Sequence, residues 1–233
     1  MGMSFVTANA MALPDAVQQS AHAVCQLKRA DSAACTATNI TQDLILTAGH
    51  TLQFEDDAAL MLGVYNLRVD LPLAEREVFG LEPKLPPSGF FYSLRTDIEQ
   101  SIDQLGDEAL MDYAICRMRR NRFGKDAGGS SRHFVAVAPP PVGAAEQEQV
   151  FLIAHQGVSR PFQSYSIGAL LRVGEYFFAH TAEGATGDSG APLFDVSGQL
   201  IGIHLADPGG YKIACRADKI MAKMNINFPG VWK

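Results

Sequence analysis

The chain has no apolar run approaching the roughly 18 residues that cross a bilayer as a helix, so it does not read as a protein with a membrane-spanning helix. It also has no C-x-x-C pair. Cys25, Cys35, Cys116 and Cys215 stand apart, which argues against a structural zinc site or a thioredoxin-type redox centre. There is no surplus of basic charge: the formal net charge is −6 over 233 residues, and nothing favours whole-surface attraction to nucleic acid or anionic lipid. No internal repeat is visible. Met1 to Ala12 ends in the A-x-A-like stretch Ala8-Asn9-Ala10 but lacks a basic leading segment and a sustained apolar block, so it does not read as a signal peptide.

Hydrophobic residues make up 47% of the sequence, enough for one large domain or two small barrels. Short apolar segments alternate with turn clusters: Ala23–Leu27, Leu44–Thr47, Leu60–Tyr65, Tyr113–Met118, Val150–Ala154, Leu170–Val173, Tyr176–His180, Leu200–Leu205 and Tyr211–Cys215. Most contain β-branched or aromatic residues and end at Gly, Pro, Asp or Asn, which predicts strands of a sandwich or barrel and not βαβ units. A terminal helix is predicted over Arg216–Met224, where Ile220 and Met224 share a face, and a short one near Pro14–Ser20. Residues 119–145 combine Arg119, Arg120, Arg122 and Lys125 with Gly128–Ser131 and Pro139–Pro141, and read as a solvated interdomain crossing. The expected division is therefore an N-terminal segment to residue 20, a barrel over 21–118, a linker over 119–145, and a second barrel with the helix over 146–233. Cys25 and Cys35 flank a turn and could bridge in an oxidising compartment; buried free thiols are an equally good reading of all four cysteines.

Three segments carry candidate chemistry. Leu44-Ile45-Leu46-Thr47-Ala48-Gly49-His50 is a buried strand running into a small-residue turn that presents a histidine. Met111-Asp112-Tyr113-Ala114-Ile115 is an aspartate entering an apolar strand, and Thr186-Gly187-Asp188-Ser189-Gly190-Ala191-Pro192 sets a serine in a tight glycine turn. Each alone is commonplace. Together they have a mechanism: an imidazole activates the hydroxyl, a buried carboxylate fixes the imidazole's tautomer, and small residues let backbone N–H groups, here those of Gly187 and Ser189, converge on a developing oxyanion. The chain order His, Asp, Ser matches the chymotrypsin arrangement; the subtilisin order and the α/β-hydrolase order differ, and Ala191 breaks the G-x-S-x-G elbow of the latter.

The segments TAGH, MDYAI and GDSGAP resemble the three signature regions of trypsin-like serine proteases, over about Ala23 to Met224. The resemblance implies an all-β fold of two six-stranded antiparallel barrels with a C-terminal helix. His50 and Asp112 would sit on the first barrel and Ser189 on the second. It further implies a serine endopeptidase that forms an acyl-enzyme on protein or peptide substrates, needs no metal or organic cofactor, and is secreted or periplasmic. The GDSG…GIH run is similar to bacterial glutamyl endopeptidases. The alternative is a catalytically silent protease-fold binding or regulatory module. No IVGG-like sequence follows a basic residue, while Asp188 stands where the family buries a carboxylate, so an arginine, a lysine or a processed amino terminus is expected to meet it. Where the family closes a disulfide around the histidine, Cys35 fits one end and Thr51 fills the other.

The resemblance gives two readings of substrate preference. His204 matches the carboxylate-reading histidine of the glutamyl endopeptidase pocket. Glu183 falls near the acidic pocket floor of trypsin-like enzymes, and Asp207 near the rim, where carboxylates would attract Lys or Arg. Thr186 completes the expected pocket lining. Acidic and basic preference both stay open at this point.

Overall fold

The computed structural model describes residues 13–29, 35–52, 60–67, 75–82, 91–92, 111–128, 134–141, 148–155, 162–185, 187–207, 211–227 and 229. The first barrel contains β1 (Val24–Arg29), β2 (Cys35–Asn39), β3 (Leu44–Thr47), β4 (Met61–Tyr65), β5 (Glu77–Gly80), β6 (Phe91–Tyr92) and β7 (Ala114–Arg117), in the order β5-β4-β1-β2-β3-β7-β6. An isolated Leu81–Met118 bridge, with Arg119 N–H donating to the Gly80 carbonyl, brings β5 back to the end of β7. Six strands thus curl into an incompletely closed barrel, and the two-residue β6 adds to β7.

The second barrel is closed. It contains β8 (Gln149–His155), β9 (Gln163–Val173), β10 (Phe177–His180), β11 (Pro192–Phe194), β12 (Leu200–Ala206) and β13 (Lys212–Arg216), ordered β10-β13-β12-β11-β8-β9. All named strand pairs are antiparallel. The expected all-β, two-barrel class with a terminal helix is the one observed.

Each barrel has its own apolar filling. Cys25, Leu27, Ile45, Phe79 and Cys116 fill the first, and Val150, Leu152, Phe178, Leu193 and Ile201 the second. A third core lies between them and includes Leu46, Ile115, Phe151, Ile153 and Leu200. Helix α1 (Asp15–Ala21) joins that seam through buried Val17 and Ala21, so the N-terminal segment is packed from Leu13 onward. Ser20 Oγ–H donates to the Gly198 carbonyl at 2.6 Å, and Gly198 has φ +73 with Ala16 O only 2.4 Å from where a Cβ would stand. Helix α2 (Ala217–Asn227) buries Ile220 and Met224 against the same core.

The crossing segment is less free than its composition suggests. Val135 N–H donates to Asn39 O in the first barrel, while Ala138 N–H donates to Leu200 O in the second. All four cysteines are buried thiols outside any disulfide. Cys25 pairs with Ala37 and Cys35 with Leu27, so the two cysteines are diagonal neighbours and not directly opposed, a separation at which a disulfide does not form without backbone movement.

Candidate active site

Strand β3 ends at Thr47, Ala48 continues extended, and a 3-10 turn over Gly49–Thr51 carries His50 out of the sheet with its side chain 31% exposed. Asp112 lies two residues before β7, which pairs with β3 in the register Thr47↔Ala114. That pairing delivers the carboxylate under the turn. Asp112 Oδ1 accepts the His50 backbone N–H at 2.8 Å, and Oδ2 lies 2.5 Å from His50 Nδ1. Asp112 is fully buried. An ionised carboxylate only accepts, so Nδ1 carries the proton and Nε2 offers its lone pair outward. Ser189 Oγ stands 2.9 Å from that Nε2.

Ser189 comes from the second barrel, and the loop bearing it is pressed against the first. Gly187 has φ +101 and Gly190 φ +78, conformations closed to most residues with a Cβ. At Gly190 a Cβ would fall 2.1 Å from Thr47 Oγ1, 2.4 Å from Thr36 O and 2.7 Å from Ala48 N. Sequence reading passed over Thr36, which ties the loop down. Its backbone N–H donates to Ser189 O at 3.0 Å, and its hydroxyl donates to Gly187 O at 3.3 Å while accepting the His155 N–H at 2.9 Å. A threonine in the polar run Cys35-Thr36-Ala37-Thr38-Asn39 has no marker in sequence; only the fold reveals what it faces.

The other anticipated residues divide. His204 is buried on β12 beside the serine loop: its carbonyl accepts the Gly190 N–H at 2.8 Å, and its Nε2 lies 3.3 Å from a Cβ built at Gly184. Burial holds His204 down to about 4, the nearby Asp207 carboxylate opposing that shift and Lys212 and His50 adding to it. Its Nδ1 is 3.3 Å from Nε2 of His180, a buried histidine on β10 that the sequence did not single out and that burial likewise holds well below the usual range. Glu183 is exposed, and its backbone N–H bonds Ser166 Oγ at 2.7 Å. Asp207 is about half exposed, with Lys212 Nζ at 3.6 Å. Thr186 lies outside the described residues.

Asp188 is fully buried, and its Oδ2 accepts the Ala185 N–H at 2.5 Å, so a backbone amide meets one of its oxygens. Cys35 and Thr51 do approach each other: the Thr51 and Thr47 hydroxyls stand beside the Cys35 thiol, which burial pushes up to about 11. The Cys215 thiol, raised well above its usual value by burial, hydrogen-bonds the backbone of Asp112 from the second barrel. Among the described residues no group of His, Cys, Asp and Glu is arranged to hold a metal ion.

Two antiparallel barrels, with an imidazole–carboxylate pair on one and a hydroxyl on the other, define the class of chymotrypsin-like proteases. The family profile described as trypsin-like peptidase domain matches residues 35–203, and the chain belongs to that family. Solved structures share its fold. A Glu endopeptidase in complex with MPD is 16% identical, with 89% of each chain covered and a TM-score of 0.63. Deg5 is 14% identical, with 91% of this chain and 92% of that one covered and a TM-score of 0.61. A scabies mite inactivated protease paralogue is 11% identical, with 90% and 95% covered and a TM-score of 0.65. No curated protein matches the sequence.

Proposed function

We propose that the chain is a serine endopeptidase in which Ser189 is the nucleophile, His50 the general base and Asp112 the carboxylate that orients it. The observation carrying this reading is the 2.9 Å separation of His50 Nε2 and Ser189 Oγ across two barrels, with Nδ1 held on a buried carboxylate. As Ser189 Oγ attacks a peptide carbonyl, Nε2 takes its proton, and Asp112 stabilises the imidazolium. The N–H groups of Gly187 and Ser189 receive the oxyanion, each such donor lowering the barrier by about 3–4 kcal/mol. The imidazolium then protonates the leaving amine, and water, deprotonated by the same nitrogen, releases the acyl-enzyme.

The P1 side chain in this reading is acidic. Glu183 faces solvent, and the Asp207 carboxylate is offset by Lys212, so neither leaves an unbalanced negative charge for a basic P1. His204, by contrast, is buried beside the serine loop. The reading assigns the tautomer in which His180 Nε2–H donates to His204 Nδ1, which leaves the His204 proton on Nε2, on the side of Gly184, as a donor for a carboxylate.

Peptides differing only at P1 test both levels. Glutamate is expected to exceed lysine in kcat/KM by about 10–100-fold, the worth of one hydrogen bond to a charged group, and His204→Leu is expected to erase that margin. Preference for lysine would overturn the P1 assignment and leave the triad standing. A folded wild-type chain that cleaves no peptide in a library would favour the silent binding module.

A further inference from the structure

The first barrel carries a second concavity, at the pole opposite the candidate triad. His50 and Asp112 flank the Thr47↔Ala114 end of the β3–β7 pair; the other end is Leu44↔Arg117, and just beyond it the chain turns through Asn121–Lys125. This turn and the start of β5 enclose a groove of about 400 Å³ lined by Arg76, Glu77, Val78, Asn121, Arg122 and Phe123.

The groove is built, not incidental. Asn121 Oδ1 accepts the N–H groups of Phe123 and Lys125 at 2.9 and 3.0 Å, Asn121 N–H donates to Lys125 O, and Gly124 takes φ +74. The turn is therefore fixed, and it holds Phe123 out at 70% exposure, near Val78 at 47%. Arg122 lies 4.7 Å over the Phe123 ring, and Arg76 lies 5.9 Å over Phe162. Stacking occupies the faces of the guanidiniums and leaves their in-plane N–H edges to bind carboxylates. Among the described residues neither arginine has a carboxylate partner, whereas Glu77 in the same wall has Lys125 Nζ at 3.8 Å. The charge of the groove is positive.

The outer edge of β5 is paired with residues 117–119 over 80–82 and opens at Val78. Leu81 N–H donates to Met61 O, which fixes the alternation along β5: Glu77 and Phe79 turn their backbone groups toward β4, Val78 and Gly80 turn theirs away. The Gly80 carbonyl is taken by Arg119 N–H. The Val78 N–H and C=O face the groove, with no strand across them among the described residues. Exposed edges are ordinarily blunted by charge, proline or cover, and here an exposed valine and phenylalanine stand beside one.

We propose that this groove docks an extended acidic segment of a partner protein, which adds to β5 through the Val78 backbone, places carboxylates on Arg76 and Arg122, and lays an apolar side chain against Val78 and Phe123. β-Augmentation supplies affinity through the main chain and selectivity through alternate side chains. A nucleic-acid strand fits less well, because its phosphates would meet Glu77 and a chain of formal charge −6. Docking here is separate from the catalytic cleft and does not depend on turnover.

The test uses the full chain carrying Ser189→Ala, so that no peptide is cut, and a fluorescent octapeptide alternating glutamate with valine and phenylalanine. Anisotropy should show saturable, salt-sensitive binding. It should weaken at least tenfold in Arg76→Glu/Arg122→Glu, and measurably in Val78→Pro, where proline removes only the outward N–H. A lysine-for-glutamate peptide should not bind. Thermal unfolding checks each variant, and Arg122→Gln replaces the double variant if that fails to fold. Absence of saturable binding, indifference to the arginine changes, equal binding of the lysine peptide, or tighter binding of a single-stranded oligonucleotide would each overturn the proposal.

Discussion

At the scale of single residues, the site depends as much on small residues as on reactive ones. His50, Asp112 and Ser189, the candidate triad, could be singled out from sequence because three short motifs stand in one chain order, and the fold brings their side chains together. Their contacts could not, because they depend on how closely two barrels approach. Gly190 sets that approach. A Cβ there would collide with Thr36 O and Ala48 N, backbone atoms that cannot swing aside, and its φ of +78 adds strain for any L side chain. Gly190→Ala should therefore lift the serine loop from the seam. A displacement of about 1 Å of a reacting group costs on the order of 100-fold in rate, and a loss of that size in kcat is expected, with a lowered unfolding midpoint. Steady-state kinetics on the variant check it; turnover near wild type would mean that the loop is not held where Thr36 and Thr47 place it.

At the scale of elements, the strands that sequence predicted are those with apolar side chains in short runs: β1, β3, β4, β7, β8, β10, β12 and β13 each overlap a predicted segment. The strands it passed over have a different physical signature. β2 is nearly all small and polar: its buried Thr36 bonds Gly187 and His155 across the seam, and its buried Asn39 accepts the Tyr65 hydroxyl inside the first barrel. β11 starts at a proline, which in a sheet usually argues against a strand. β9 was legible only over its last four residues, since Ser164, Ser166 and Gly168 interrupt any apolar run, and Gly168 is required where a Cβ would strike the Ala182 backbone at 2.0 Å. The buried His180–His204 pair links β10 to β12 and gives these elements a pH dependence. In the unfolded chain His204 protonates near 6.5 and in the folded chain near 4, so folding favours the neutral ring. Its stabilisation is complete above the unfolded value and is lost as pH falls from about 6.5 toward 4, by about 3 kcal/mol for His204, with His180 acting in the same direction. Thermal melts at pH 7.5 and 4.5 should show a larger drop for wild type than for His204→Leu. Equal drops would mean that the imidazole is not kept neutral by burial.

At the scale of the whole molecule, the proposed function depends on the seam. The core between the barrels, the α1 staple to Gly198, the crossing segment bonded to Asn39 and Leu200, and the Thr36 ties to the serine loop all resist separation of the two halves. Strand-length periodicity pointed to a sandwich or barrel, and the resemblance of the three motifs to trypsin-like proteases implied the two-barrel class. The packed state of residues 13–21 was not legible, because a seven-residue helix with two buried side chains is too short a pattern to distinguish from a loose terminus. Mass spectrometry after treatment with a fluorophosphonate tests the union of the halves most directly. The proposed triad requires a covalent adduct on Ser189 in the wild-type chain, and none in a folded His50→Ala variant in which the second barrel and its serine loop are unchanged. A wild-type chain that is folded yet unmodified, or a His50→Ala chain modified at the wild-type rate, would contradict it.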